Sequence, residues 1–198
     1  MRIREYKSYC DYIEHQKKKT KSPEVKNVTQ KNFDRRVALF KSQFSFALKH
    51  LTVSKDARIL CLGARRGEEI VALRQIGYNG HIIGVDLVAF PPNVIKGDFH
   101  NLPFKDGSFD FIFSNAVDHI LDPQKFSDEI TRVGSPVAVI LFHLILETWS
   151  DEMSFGLDKT NELTKYFESF NVNVERHLDK EYGGGLNHMV IMTKKAND

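Results

Sequence analysis

The spacing of apolar residues changes period along the chain, and each change marks an element. Tyr6, Tyr9 and Ile13, with Arg2, fall near helical spacing and predict a short helix over residues 1–15. Residues 17–31 are polar, carry Ser22 and Pro23 and show no period, so they read as a linker. From Asn32 the pattern turns amphipathic. Phe33, Val37, Phe40, Phe44 and Leu48 recur every three or four residues, the stripe of a helix that ends near His50. Short apolar runs then alternate with helical stretches. Strand 58–62 precedes helix 67–76, whose end is marked by Gly77 in the place of a left-handed cap. Strands 81–86, a short one at Val94 and Ile95, and 109–114 follow, the last after a turn over residues 103–108. Helix 123–133 starts with Pro123, which suits a first helical turn. Strand 137–143 is almost wholly apolar, as a central parallel strand covered on both faces must be. A helix near 158–170 and strands 171–177 and 187–193, joined across the glycine run Tyr182 to Leu186, end the sequence. Five βα units and an antiparallel tail specify a doubly wound α/β domain.

At 198 residues, 41% of them apolar, the chain can bury one full core. Its richest apolar stretch, Val137 to Leu146, is too short for a bilayer and contains His143. The charged N-terminus lacks the apolar core of a signal peptide, so the expectation is a cytoplasmic protein without a membrane segment. Cys10 and Cys61 are the two cysteines, and Cys61 lies inside a buried strand, which argues against a disulfide. Charge is lopsided. Residues 1–50 hold 13 Lys and Arg against 5 Asp and Glu, whereas the remainder holds 15 against 21. The run from Lys17 to Lys21 would steer the protein to nucleic acid or an anionic surface; a solvated arm is the plainer reading. Residues 1–31 are therefore taken as a basic extension and linker, and 32–198 as the domain.

Between Arg58 and Asp86 the elements acquire a chemical sense. The first strand runs into the loop Gly63, Ala64, Arg65, Arg66, Gly67, the loop opens a helix, and the next strand closes on Asp86. Strand, glycine loop, helix and an acid about twenty residues on make the front half of a nucleoside-binding unit. Further markers follow in order: Gly97-Asp98-Phe99, then Leu102, Pro103 and Phe104, then Asp110 to Asn115. Together these segments resemble class I S-adenosylmethionine-dependent methyltransferases, specifically the branch of small methyltransferase domains.

The resemblance implies a Rossmann-like, seven-stranded, mostly parallel sheet with an antiparallel C-terminal hairpin. It implies S-adenosyl-L-methionine as cofactor. Gly63 and Gly67 would let the backbone turn and approach the ligand, with Ala64 and Arg65 between them, and the free N–H groups of the following helix would face the methionine carboxylate. Asp86 would take both ribose hydroxyls, Leu87 and Phe99 would pack on the adenine, and Asp98 would accept from its exocyclic amine. Asn115 ends the fourth strand, where an open α/β sheet forms its crevice. The helix over 32–50 would lie beside the sheet as a lid over the cofactor edge. The chain departs from the family loop at Cys61, where an acid is usual, and at Arg65, where a glycine is usual. Arg65 could grip the cofactor carboxylate, and Glu68 or Glu69 could stand in for the acid.

Methyl transfer asks mainly for alignment, with a base when the acceptor is a hydroxyl or a protonated amine. Asp118 and His119 are the first candidates, followed by His100 and His143. Other chemistries fit worse. The dinucleotide loop Gly-x-Gly-x-x-Gly is absent, no Gly-x-Ser-x-Gly elbow follows a strand, and the histidines are dispersed, so no metal site is expected. The Asn/Asp-Pro-Pro-aromatic signature of base-amine methylation is also missing; Ser114 to Val117 stand in its place, while Phe90, Pro91 and Pro92 follow the wrong strand. The expected activity is methyl transfer to a small molecule or to an exposed group on a larger one. Without a substrate-cap insertion, a bulky acceptor, the N-terminal helices, a second copy or a partner subunit would complete the site. The altered loop leaves one alternative, an inactive methyltransferase-like binding or assembly module.

Overall fold

The computed structural model describes residues 1–20, 30–178 and 186–196. Seven strands build one sheet: β2 (Ile59–Leu62), β3 (Ile82–Asp86), β4 (Val94–Lys96), β5 (Phe109–Ser114), β6 (Gly134–Leu144), β8 (Phe170–His177) and β9 (His188–Lys194). Their order across the sheet is β4-β3-β2-β5-β6-β9-β8. The pairs on the β4 side as far as β6 are parallel, whereas β9 runs antiparallel to both β6 and β8. This is the doubly wound, Rossmann-like sheet that the alternation of elements predicts. Two further short strands, β1 (Arg2–Ile3) and β7 (Phe155–Gly156), pair antiparallel in a separate ribbon.

The central strands are apolar throughout because each face is covered. Along β2, Leu60 and Leu62 enter one core, whereas Ile59 and Cys61 enter the other. Helix α4 (Pro123–Val133) covers the first face with Phe126, Ile130 and Val133. It starts where the sequence says it should: Asp122 caps it by accepting from the Lys125 N–H at 3.0 Å, and Pro123 fills its first turn. The opposite face carries α2 (Gln30–Ala47), extended by a short 3-10 turn (Leu48–His50), and α3 (Glu68–Gln75). The α2 stripe lands on β5: the rings of Phe44 and Phe113 meet edge to face at 4.8 Å, and Phe40 stacks on Phe44 at 5.9 Å. Thus α2 is a core helix, and only its Arg36 reaches the crevice described below.

Two helices differ from expectation in their bounds. Helix α1 spans Tyr9–Thr20, not residues 1–15, and so takes in the first four residues of the supposed linker. It packs on the domain through a fully buried Tyr12, and its Gln16 donates to Ser154 Oγ at 2.8 Å. Apolar period alone missed its second half because that face meets polar groups. The helix expected over 158–170 shrinks to α5 (Asn161–Thr164), with Phe167 and Phe170 reaching the core from turns and from β8. Lys21, Ser22 and Pro23, and the glycines of the 182–186 connection, lie outside the described residues. Among the described residues no helix is long and apolar enough to cross a membrane, and Cys10 and Cys61 are both free thiols.

Truncating Phe44 to alanine leaves a cavity against Phe113 and is expected to cost about 3–5 kcal/mol of stability. A shift of the urea midpoint checks this. Val137→Thr, at a side 76% exposed, is the control and should stay within about 0.5 kcal/mol.

Candidate active site

The strand order reverses between β2 and β5, and there the loops that leave the two strands part and open a crevice. Its floor is a backbone contact. Gly63 follows β2 with φ of 74°, and a Cβ on it would stand 2.4 Å from the Cβ of Ala116, just beyond β5. Only glycine fits there, for want of both space and a right-handed φ. Gly63 and Ala64 donate to the Val85 carbonyl at 2.9 and 3.3 Å, and Ser114 Oγ donates to the Leu62 carbonyl at 3.2 Å. These bonds lock the loop between β3 and β5.

The crevice encloses about 370 Å³, within the size range of small-molecule sites. Of the residues singled out from the sequence, Gly63, Ala64, Arg65, Asp86, Leu87, Phe99, Asn115, Asp118 and His119 line it. Gly67 and Asp98 do not. Gly67 is instead the left-handed N-cap of α3, with φ of 80° and Val94 and Ile70 packed beneath it. Asp98 is taken up by protein: Oδ2 accepts from the Tyr9 hydroxyl, and Oδ1 from the His100 N–H at 2.9 Å and ring Nδ1 at 3.0 Å. Burial opposes ionisation of Asp98, but the bonds from His100 and Tyr9 outweigh it and hold the carboxyl below its ordinary value. His100 is equally committed, since Nε2 accepts from the Leu121 and Asp122 N–H groups at 3.3 Å each. It is a strut and not a base. His143 lies away from the crevice.

Asp86 presents a carboxylate that is held at both ends. Oδ2 accepts from the Arg65 N–H at 3.0 Å and Oδ1 from the Val88 N–H at 2.8 Å. Each oxygen keeps a further lone pair. Burial raises the Asp86 pKa, opposed by those two N–H groups. Arg65 sits at φ of 37°, in the left-handed region that a side chain enters at a cost of about 1–2 kcal/mol. Glu68 and Glu69 open α3 and turn into the same crevice, both buried. Arg36 binds Glu68 at 3.1 Å. Burial is the main cause that pushes the Glu69 carboxyl up to about 8. Glu69 also raises the Cys61 thiol pKa, after burial itself, which places its charge near the residue that stands where the family has an acid.

The remaining wall comes from α1, whose lining residues the sequence did not single out. Tyr12, Gln16 and Lys19 stand at i, i+4 and i+7 and line the crevice. Tyr12 donates to the His119 carbonyl at 3.1 Å. Lys19 Nζ stands 3.1 Å from His119 Nδ1 and 2.9 Å from Nε2, and donates to the Glu152 carbonyl at 3.0 Å. Asp118 Oδ2 is 3.4 Å from His119 Nδ1. Burial lowers both the Lys19 and the His119 pKa. The basic run is thereby divided: Lys17 binds Glu14 at 3.0 Å, Lys18 is exposed and Lys19 points inward.

Comparison with known proteins agrees with this geometry. A methyltransferase domain model matches residues 60–142, the segment from β2 through most of β6. Over that segment the chain resembles a methyltransferase domain. Norajmaline N-methyltransferase of Rauvolfia serpentina is 44% identical over 46 residues, which are 23% of this chain and 16% of that protein. The match therefore spans about a sixth of that relative's length. Among solved structures, the 1,6-didemethyltoxoflavin-N1-methyltransferase of Burkholderia thailandensis superposes with a TM-score of 0.71 at 15% identity. It covers 98% of this chain and 93% of its own, and that structure holds 1,6-didemethyltoxoflavin and S-adenosylhomocysteine. A putative methyltransferase of Haloferax volcanii, solved in complex with the Trm112 methyltransferase activator, gives 0.62 at 17% identity, covering 81% and 94%. The domain fold is shared with both.

Glu69 makes the domain sensitive to pH. Unfolded, it titrates near 4.5; folded, near 8. In that window the folded chain keeps a proton that the unfolded chain has released, so stability falls as pH rises and levels off above about 8. Glu69→Gln should abolish the fall. Urea unfolding is expected to show the variant about 1–3 kcal/mol more stable than the parent near pH 8.5, and roughly equal near pH 5.

Proposed function

We propose that the chain is an enzyme that binds S-adenosyl-L-methionine in the crevice and transfers its methyl group to an acceptor at the α1 side. The observation that carries the reading is the pairing of two kinds of carboxylate around one loop. Asp86, oriented by two N–H groups at the end of β3, suits a ribose diol. Glu69, buried against the same loop and next to Cys61, suits the cationic end of the cofactor. The acid missing from the strand is thus supplied from the helix start. Arg65, held in a costly backbone conformation, suits the carboxylate of the methionine moiety. Leu87 and Phe99 give the adenine its apolar walls, and Asn115 closes the β5 end.

When bound, the cofactor supplies an activated methyl group on a sulfonium. The protein's share is to orient, to exclude water and to manage the acceptor's proton. Asp118, His119 and Lys19 form the group for that last task. His119 is kept neutral by burial and by the Lys19 charge, while Asp118 pulls the other way, so it is fit to take a proton from an acceptor hydroxyl or ammonium. The relative and the neighbour named above are N-methyltransferases, which favours a nitrogen acceptor. The Haloferax neighbour sits on an activator protein, which supports closure of the open rim by a partner or a second copy.

Calorimetric titration with S-adenosylmethionine and S-adenosylhomocysteine tests the reading. Micromolar binding is expected, weakened at least about tenfold by Asp86→Ala through loss of hydrogen bonds to a charged group. Absence of heat, with no thermal shift from either ligand, would sink the enzyme reading and leave a methyltransferase-like binding module. Arg65→Gly should show opposite signs in two measurements: a melting temperature raised by relief of the left-handed side chain, and weaker cofactor binding. His119→Ala and Asp118→Asn should leave cofactor affinity within about threefold, because their side chains face the acceptor. Equal losses of affinity in these and Asp86→Ala would move the pair into the cofactor site.

A further inference from the structure

A second cavity, of about 120 Å³, opens on the α2 face between that helix, the ends of β6 and β8 and the start of β9. It shares no lining residue with the crevice. Phe46, Leu178 and Met189 make it apolar. His143, 1% exposed, lines it too, and neither ring nitrogen has a hydrogen-bond partner among the described residues. The imidazole packs edge-on against Phe113 at 5.2 Å. Burial lowers its pKa to about 3, so it is neutral and offers one donor and one acceptor.

Buried polar groups are bonded with few exceptions, and each exception calls for a reason. A phenylalanine would fill this volume without stranding two nitrogens, so packing does not explain the histidine. Three other polar side chains line the cavity: Gln43, on α2, is buried, whereas Arg176 and His177 are exposed. The Arg176 guanidinium lies 4.4 Å over the Phe46 ring, and the His177 ring lies 5.0 Å from that of His188. Polar hydrogen bonding at the buried end, apolar walls and a cation at the exposed end define a ligand. A cavity of about 150 Å³ takes one benzene ring, so one of about 120 Å³ holds no more than a single ring, with its charged group left at the open end.

We propose that this cavity is a second binding site, for a single-ring aromatic acid that carries a hydroxyl or ring N–H opposite its anionic group. The ring lies between Phe46 and Met189, where a thioether meets an aromatic favourably. The anion pairs with Arg176, and the opposite polar group bonds His143. The site stands whether or not the crevice binds S-adenosylmethionine.

The test is a titration of the full chain, with methyl-labelled Met and Leu, by 4-hydroxybenzoate, phenol and cyclohexanecarboxylate, followed by NMR at Met189 and Leu178. Saturating shifts are expected with 4-hydroxybenzoate at millimolar concentration, and weaker ones with the other two. His143→Phe should lower the 4-hydroxybenzoate affinity at least about tenfold, the worth of one well-made hydrogen bond to a neutral group. His143→Gln, which keeps a donor and an acceptor, should restore part of it. Arg176→Ala should weaken 4-hydroxybenzoate and leave phenol unchanged. Asp86→Ala, in the crevice, should change nothing here. No shift up to about 10 mM, equal affinity in His143→Phe, or shifts abolished by Asp86→Ala would each overturn the proposal; the first would mean a cavity that holds only water.

Discussion

One missing Cβ holds the site open. Where β2 and β5 lie side by side their exit loops must pass each other before they part over opposite faces of the sheet. Gly63 against Ala116 is the point of passage. Because the loops touch there, everything above that contact is wall and everything below it is core. A side chain at residue 63 would push the β2 loop off Val85 and with it the Arg65 N–H that orients Asp86. A sheet edge, a carboxylate and a helix start are thus set by one steric allowance.

Electrostatically the crevice is a mixture and not a field of one sign. Glu68, Glu69, Asp86 and Asp118 face Arg36, Arg65 and Lys19 across the same space. Such a lining suits a zwitterion far better than a polyanion, which would meet four carboxylates. Burial outweighs the pull of Arg36 on Glu69, and its proton spares the cluster one negative charge.

How legible this was in the sequence depends on what each residue touches. The sheet read clearly because parallel strands buried on both faces are unbroken apolar runs, and α2 and α4 because their inner stripes are apolar at helical spacing. The second half of α1 was silent. Gln16 and Lys19 pack against Ser154 and His119, and polar packing leaves no hydrophobic period to detect. The opposite error occurred near residue 163, where Leu163, Phe167 and Phe170 sit at helical spacing yet reach the core from a short helix, a connecting turn and β8. Asp86, Asn115 and the turn from Gly63 to Arg65 line the crevice, as their positions after strands led one to expect. Asp98 does not line it, and its bond with Tyr9 depends on a helix almost ninety residues earlier. Chain order shows what ends a strand, and it cannot show which distant hydroxyl arrives there.

That distance also bears on how the molecule assembles in time. The bonds that dock α1 join Tyr12 to His119, Gln16 to Ser154 and Lys19 to His119, across 107, 138 and 100 residues. Contacts of such separation form only after the intervening chain has collapsed, since closing those loops costs entropy before any bond repays it. The sheet and its loop around Asp86 need none of them. Contact order alone therefore sets the docking of α1 after the sheet, so that the crevice is expected to gain its second wall late. The same ordering runs backwards under mild denaturation, where the helix that walls the site is the first part to leave.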